Sequence, residues 1–219
     1  MSTATDLASP ELSLAEQAYR TLRDRLIMLD IAPGEPLNEG QLVAELGFGR
    51  TPLREAMKRL ETDHLVISYP RRGTFATRVD ITELAAVSEV RQLLEPLAAR
   101  KAAENVDPET REALTQARGS IGALGHDAAL RDVMALDLEV HRLVYRTAGN
   151  HHLEESLVRL DNLATRIWCV VVDRLPDVTG HIREHLGLLE AILDGEAERA
   201  EQIAAEHVRH FNAAVRSVI

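Results

Sequence analysis

The chain has 219 residues, 45% of them hydrophobic but only 3% aromatic. A core built of Leu, Val, Ile and Ala favours helices over a sandwich or barrel, so the expected class is mainly α. A net charge of −10 argues against DNA binding by the chain as a whole, and the single cysteine, Cys169 inside IWCVVV, excludes an intramolecular disulfide and any multi-cysteine zinc site.

Residues 1–12 read as a mobile tail with neither a basic nor an apolar leader, and no apolar run reaches membrane-spanning length. The expectation is a soluble, cytoplasmic protein without membrane contact. Residues 13–30 read as a helix with Leu14, Ala18, Leu22, Leu26 and Ile27 on one stripe. IAPGEPLNEG is a loop, 39–46 a short helix, and Gly47 and Gly49 flank Phe48 in a turn. A helix over 50–63 follows, then strands over 65–69 and 74–78 around a hairpin tip of Pro70, Arg71, Arg72 and Gly73. After Val79 the sequence is helix-type to the end, with helices expected at 81–104, 108–123, 127–148, 151–174, 179–194 and 197–217. Two domains follow from this: a winged helix-turn-helix over 13–79 and an all-helical bundle over 80–219.

Charge is distributed along the same division. Residues 50–78 carry seven Lys or Arg against three Asp or Glu, whereas 80–219 carry 15 against 24. Phosphate neutralisation needs a local basic face, not a basic protein. In the helix over 50–63, Leu53, Ala56, Met57 and Leu60 share an inward face, while Arg50, Arg54 and Lys58 recur on the other side. Pro52 is tolerated only in a first turn, which sets Arg50, Thr51 and Arg54 at the leading end. A recognition helix presents that end to base edges, and the Arg fork matches guanine. Arg71 and Arg72 would meet phosphate or the minor groove. A basic stripe alone could be a solvated face; the turn, the preceding helix and the Arg-rich hairpin together favour double-stranded DNA.

Four polar residues of the second domain share a different pattern. Asp137 and His141 are spaced i, i+4 on a face that also carries Val133 and Val144. His185 lies between Ile182 and Leu189, and His207 between Ile203 and Phe211. If Gly195 marks a helical hairpin, His185 and His207 stand at similar heights, roughly 15–18 Å from the turn. A buried carboxylate needs partners. Three imidazoles could supply hydrogen bonds, and a divalent first-row ion such as zinc or nickel would satisfy all four groups at once. Separately satisfied core histidines are the alternative. His64, His126, His151, His152, His181 and His210 are weaker candidates on position. No HExxH motif and no further general base are evident near these residues.

The stretches PGEPLNEGQLVAELGFGRTPLREAMKRLETDHLV and PRRGTFATRV resemble the N-terminal domain of the GntR family of bacterial transcription regulators. By that resemblance Arg50, Thr51 and Arg54 contact bases and phosphates, and Gly73 sits at the wing tip. Two positions depart from the pattern: Gly49 stands where serine is usual, and Asp63-His64 where an acidic residue and glycine are usual. VRQLLEPLAARKAA, DLEVHRLVYRTAGN and EHLGLLEAILDGEAERAEQIAAEH resemble the FCD domain that defines one branch of that family. The resemblance implies metal ligation by Asp137, His141, His185 and His207, and a small carboxylate effector completing the metal shell. It also makes Arg91 a candidate for holding the effector, and Arg166 and Trp168 candidates for lining the same cavity; a structural ion pair is the alternative for either arginine, and core packing for Trp168. The expected function is a homodimeric, ligand-responsive regulator; a metalloenzyme fused to a DNA-binding module and a direct metal sensor are the alternatives.

Overall fold

The computed structural model describes residues 12–125 and 128–219. The tail expected over 1–12 lies outside these residues except for Leu12, and so does His126. The chain divides into two compact units, with the division between Arg78 and Val79.

The first unit opens with α1, Leu14–Ile27, capped by the Ser13 hydroxyl accepting from the Glu16 N–H. Ala18, Leu22, Leu26 and Ile27 are buried against α3, whereas Leu14, the first helical residue, is 59% exposed and does not join the stripe. Helix α2, Glu39–Leu46, ends at Gly47 with φ 73, a left-handed conformation that glycine adopts without strain. Helix α3, Arg50–Thr62, buries Leu53, Ala56 and Leu60; Met57 is half-buried. A fully buried leucine contributes ~1.5–3 kcal/mol relative to exposure, so this α1–α3 packing is what holds the unit.

The IAPGEPLNEG stretch is not all loop. Pro36–Leu37 forms a strand, β1, that pairs with β3, Gly73–Ala76, which in turn pairs with β2, Val66–Tyr69. Both pairings are antiparallel, with Leu37 opposite Thr74 and Ser68 opposite the same residue on the other side. Two residues are too short for alternation to show in sequence, so the strand is visible only through its partner. The hairpin turn is type II: Pro70 follows Tyr69, Arg71 takes φ 64, and the Arg72 N–H donates to the Tyr69 carbonyl.

The second unit is helical throughout. A 3₁₀ turn at Ile81–Glu83 leads into α4, Leu84–Glu104; then come α5, Pro108–Gly122, α6, Leu130–Thr147, α7, His151–Val171, α8, Val178–Leu193, and α9, Ala197–Arg216. The expected helix over 151–174 ends in a 3₁₀ turn at Val172–Arg174. Gly149 and Gly195 both take positive φ at helix ends, and the Glu196 N–H reaches back to the Ala191 carbonyl. Helix α4 packs along α9 and also meets α6, α7 and α8 with one face, while its other face is exposed. The apolar core includes Val133, Val144, Ile182 and Leu189. Polar residues are buried among these helices as well, and they form the site described next.

Candidate functional site

In the first unit, α3 presents Arg50, Thr51, Arg54 and Lys58 to solvent, and the hairpin presents Arg71, Arg72 and Gly73. Arg54 is not idle: its Nε donates to Glu39 on α2 at 2.9 Å. Behind the reading face, Tyr19 donates its hydroxyl to Asp63 at 2.7 Å, and the Arg59 guanidinium lies 3.8 Å from the Tyr19 ring centre. These contacts tie α1 to the far end of α3 and fix its direction. Gly49 caps α3 without a side-chain acceptor, and His64 takes φ 59 directly after the helix. Both departures from the family pattern are therefore visible as backbone roles: one residue surrenders a cap, the other occupies a left-handed site that glycine fills more easily.

In the second unit the structure brings Asp137, His141, His185 and His207 together. One ligand-type atom from each lies within 4.8 Å of every other. The three imidazoles are buried, and the Asp137 side chain is 13% exposed. His141 and His185 face each other with their Nε2 atoms 3.3 Å apart. The outer nitrogens have separate partners. His185 Nδ1 pairs with the Ile182 carbonyl at 3.0 Å, His207 Nδ1 with Glu184 at 3.0 Å, and His141 Nδ1 with the Tyr145 hydroxyl at 3.1 Å. A carbonyl or carboxylate on Nδ1 fixes the tautomer and leaves Nε2 as a lone pair, which is how metal-binding histidines are oriented.

Electrostatics agree with this arrangement. Burial, reinforced by the charges of neighbouring residues, keeps all three imidazoles neutral: His185 falls to about 4, and His141 and His207 lie well below the usual histidine value. Burial and the nearby Asp161 push Asp137 up to about 8. Asp137 Oδ1 is buried without a hydrogen-bond partner among the described residues. Neutral nitrogen donors beside an orphaned carboxylate oxygen suit a divalent first-row cation, so the residues fit the metal that the sequence resemblance implies.

Sequence reasoning missed several neighbours. His181, set aside there as lying near a helix end, stands one turn before His185 in α8 and stacks on His207 at 4.2 Å. Its i, i+4 spacing to His185 was the available signal. Glu184 holds both His207 and His210. Where no further general base is evident from sequence, Glu95 of α4 and Asp161 of α7 reach the same centre and form a second cluster with His141. They come from helices distant in sequence, so spacing could not reveal them.

A small cavity opens beside the four residues. Arg91, Asp137, Asp161, Thr165, Trp168 and His181 are among its lining. Arg91 is fully buried and already engaged: Nε donates to Glu95, and a terminal nitrogen lies 3.4 Å from Asp161. Trp168 packs against both His181 and Phe211, at 4.5 and 4.9 Å between ring centres. Arg166, also buried and lowered to about 10 by that burial, is not among the cavity-lining residues, so the structure separates it from Arg91 and Trp168.

A basic exposed helix with a short antiparallel wing in one unit, and a buried polar centre in a second, helical unit, define the class of a DNA-binding transcription regulator. Residues 14–76 match the family model of bacterial regulatory proteins of the gntR family, and residues 86–210 match the FCD domain. The chain belongs to the GntR family and carries the FCD domain. It is 25% identical over 210 residues to the HTH-type transcriptional repressor RspR of Escherichia coli, covering 96% of this chain and 92% of the relative. It is 30% identical over 157 residues to an HTH-type transcriptional regulator in the TAR-I ttuE-ttuC' intergenic region of Agrobacterium vitis, covering 70% of this chain and 86% of the relative. The fold is that of E. coli McbR/YncC, with a TM-score of 0.80 at 21% identity over 94% of this chain and 98% of that one. The relatives are regulators, and this chain is a regulator, not an enzyme. Among the described residues no helix is long and apolar enough to cross a membrane.

Proposed function

We propose that this regulator is a cytoplasmic homodimer whose FCD domain holds a divalent metal, with zinc favoured, and senses a small carboxylate there. The observation that carries the reading is the convergence of Asp137, His141, His185 and His207, with the outer nitrogens of the imidazoles held by Tyr145, Ile182 and Glu184. When bound, the metal supplies a positive centre for an anionic effector. Arg91 lines the cavity beside it and shares its charge with Glu95 and Asp161. Effector binding would alter operator affinity only through a conformation that it binds better than the alternative.

Arg50, Thr51, Arg54 and Lys58 then read or position the operator duplex, and Arg71, Arg72 and Gly73 form the wing contact. A single winged helix reads a short site, and two copies reading paired half-sites add specificity. Support for a second copy comes from α4, where Val90, Leu93 and Leu97 form an exposed apolar stripe and Leu93 is 73% exposed. The deciding experiment measures metal content by elemental analysis in wild type and in the His185→Ala, His207→Ala double variant. Stoichiometric metal lost in the variant supports the site and justifies screening carboxylates against operator binding. A folded wild type that takes up no supplied metal overturns it.

A further inference from the structure

Three buried polar atoms of cavity-lining residues have no hydrogen-bond partner among the described residues. Asp137 Oδ1 is the one assigned above to the metal; Asp161 Oδ2 and the indole N–H of Trp168 are the other two. Both residues sit on α7, two turns apart, and Thr165 between them lines the same cavity. Asp161 is 2% exposed, and its other oxygen faces the Arg91 guanidinium. Trp168 is 4% exposed, stacked on Phe211 and in contact with His181, so its indole N–H is held away from bulk water.

A buried group without a partner carries an uncompensated desolvation penalty, larger for a charge. Here the cost falls on an acceptor and a donor that face one small cavity. It is recovered when an occupant offers the complement: a hydroxyl donating to Asp161 and an oxygen accepting from Trp168. A plain fatty or dicarboxylic acid offers the metal its carboxylate but leaves Asp161 unmatched. A site built to hydrogen-bond a hydroxyl rejects analogues that lack it far more strongly than an apolar pocket rejects a missing methylene.

We propose that Asp161 and Trp168 are specificity-determining residues that select a small hydroxylated carboxylic acid over its deoxy counterpart. The inference rests on the metal-and-carboxylate reading above, because the carboxylate must be held at Asp137, His141, His185 and His207 for the hydroxyls to reach α7.

The test is isothermal titration of the zinc-loaded, full-length protein with two graded series. Tartrate, malate and succinate share a four-carbon diacid frame with two, one and no hydroxyls; glycerate, lactate and propionate do the same on a three-carbon frame. In at least one frame, affinity should rise roughly ten-fold with the hydroxyl that meets Asp161. Asp161→Asn keeps the shape and removes the charge, and should flatten that series to within about three-fold while zinc content stays stoichiometric. Trp168→Phe removes the indole N–H and should weaken the best-bound hydroxy acid several-fold. If the acids bind but the hydroxyl count makes no difference, the selectivity role of Asp161 is wrong and the carboxylate reading stands. If none of the six binds protein that holds zinc, the carboxylate reading falls and this inference falls with it.

Discussion

His141 and His185 bring their Nε2 atoms to 3.3 Å across the packing of α6 on α8. His185 has its Nδ1 on the Ile182 carbonyl, so its Nε2 carries a lone pair directed at its neighbour. His141 Nδ1 can accept from the Tyr145 hydroxyl, which leaves its Nε2–H to donate to that lone pair. A divalent ion would take the place of this shared proton, with both Nε2 atoms turned to it.

Metal should stabilise the protein measurably. A ligand that binds only the folded state adds about 4 kcal/mol at a thousand-fold excess over its Kd. The expected outcome is a Tm several degrees higher with saturating zinc than after chelation. His185→Ala should abolish that difference, and an unchanged Tm in chelated wild type would contradict the site.

Protons should leave when metal enters. Asp137 is raised to about 8, so near pH 7 its carboxyl is mostly protonated, whereas His185, lowered to about 4, is already neutral. Zinc must displace the Asp137 proton, so affinity should rise with pH up to about 8 and fall below it. Titration at pH 7 in buffers of different ionisation enthalpy should report close to one proton released.

Metal-free protein should show a stability optimum near pH 6.5. His181, lowered to about 3, His185, lowered to about 4, and His141 and His207, both depressed, each contribute stability above the unfolded histidine value of 6.5 that is lost as pH falls. Asp137 and Asp161, raised to about 8 and about 7, work the other way: their contribution is complete below the unfolded value of 3.8 and is lost as pH rises towards the folded values. Below 6.5 the four histidines outnumber the two carboxylates, and above it only the carboxylates titrate. Thermal melts across pH 5–9 after chelation check the sign on each side.

On the DNA side, Arg54→Ala should weaken specific operator binding by about 1–3 kcal/mol, the worth of a good bidentate base contact. Arg71→Ala or Arg72→Ala should instead lower affinity for all sequences and reduce the salt slope by about one each. Gel-shift or anisotropy titrations at several salt concentrations separate the two behaviours. His64→Gly, which relieves a left-handed backbone at φ 59, should raise stability by about 1 kcal/mol without altering operator affinity.

Leu93→Arg should prevent a second copy from covering the α4 stripe. Sedimentation should show a monomer, and operator affinity should drop because the paired half-sites are lost. A dimer that persists would place the interface elsewhere.

The sequence by itself determined the local structure. Pro52 and Gly47 bracket the reading turn, hydrophobic periodicity sets the helices, and Gly195 places His185 and His207 at matching heights; each of these signals acts within a few residues along the chain. The pairing of Asp137 with His141 was legible for the same reason, since i, i+4 spacing is a property of one helix. Only the tertiary structure decided which polar residues are buried. Glu95, Asp161 and Glu184 look like ordinary solvated carboxylates in a chain with 35 acidic residues, and nothing in their own helices marks the first two. They join the centre because α4 and α7 lie against α6, and α8 against α9. The same packing separates Arg166 from the cavity that Arg91 and Trp168 line. Burial depends on the element that covers a residue, and that element is distant in sequence.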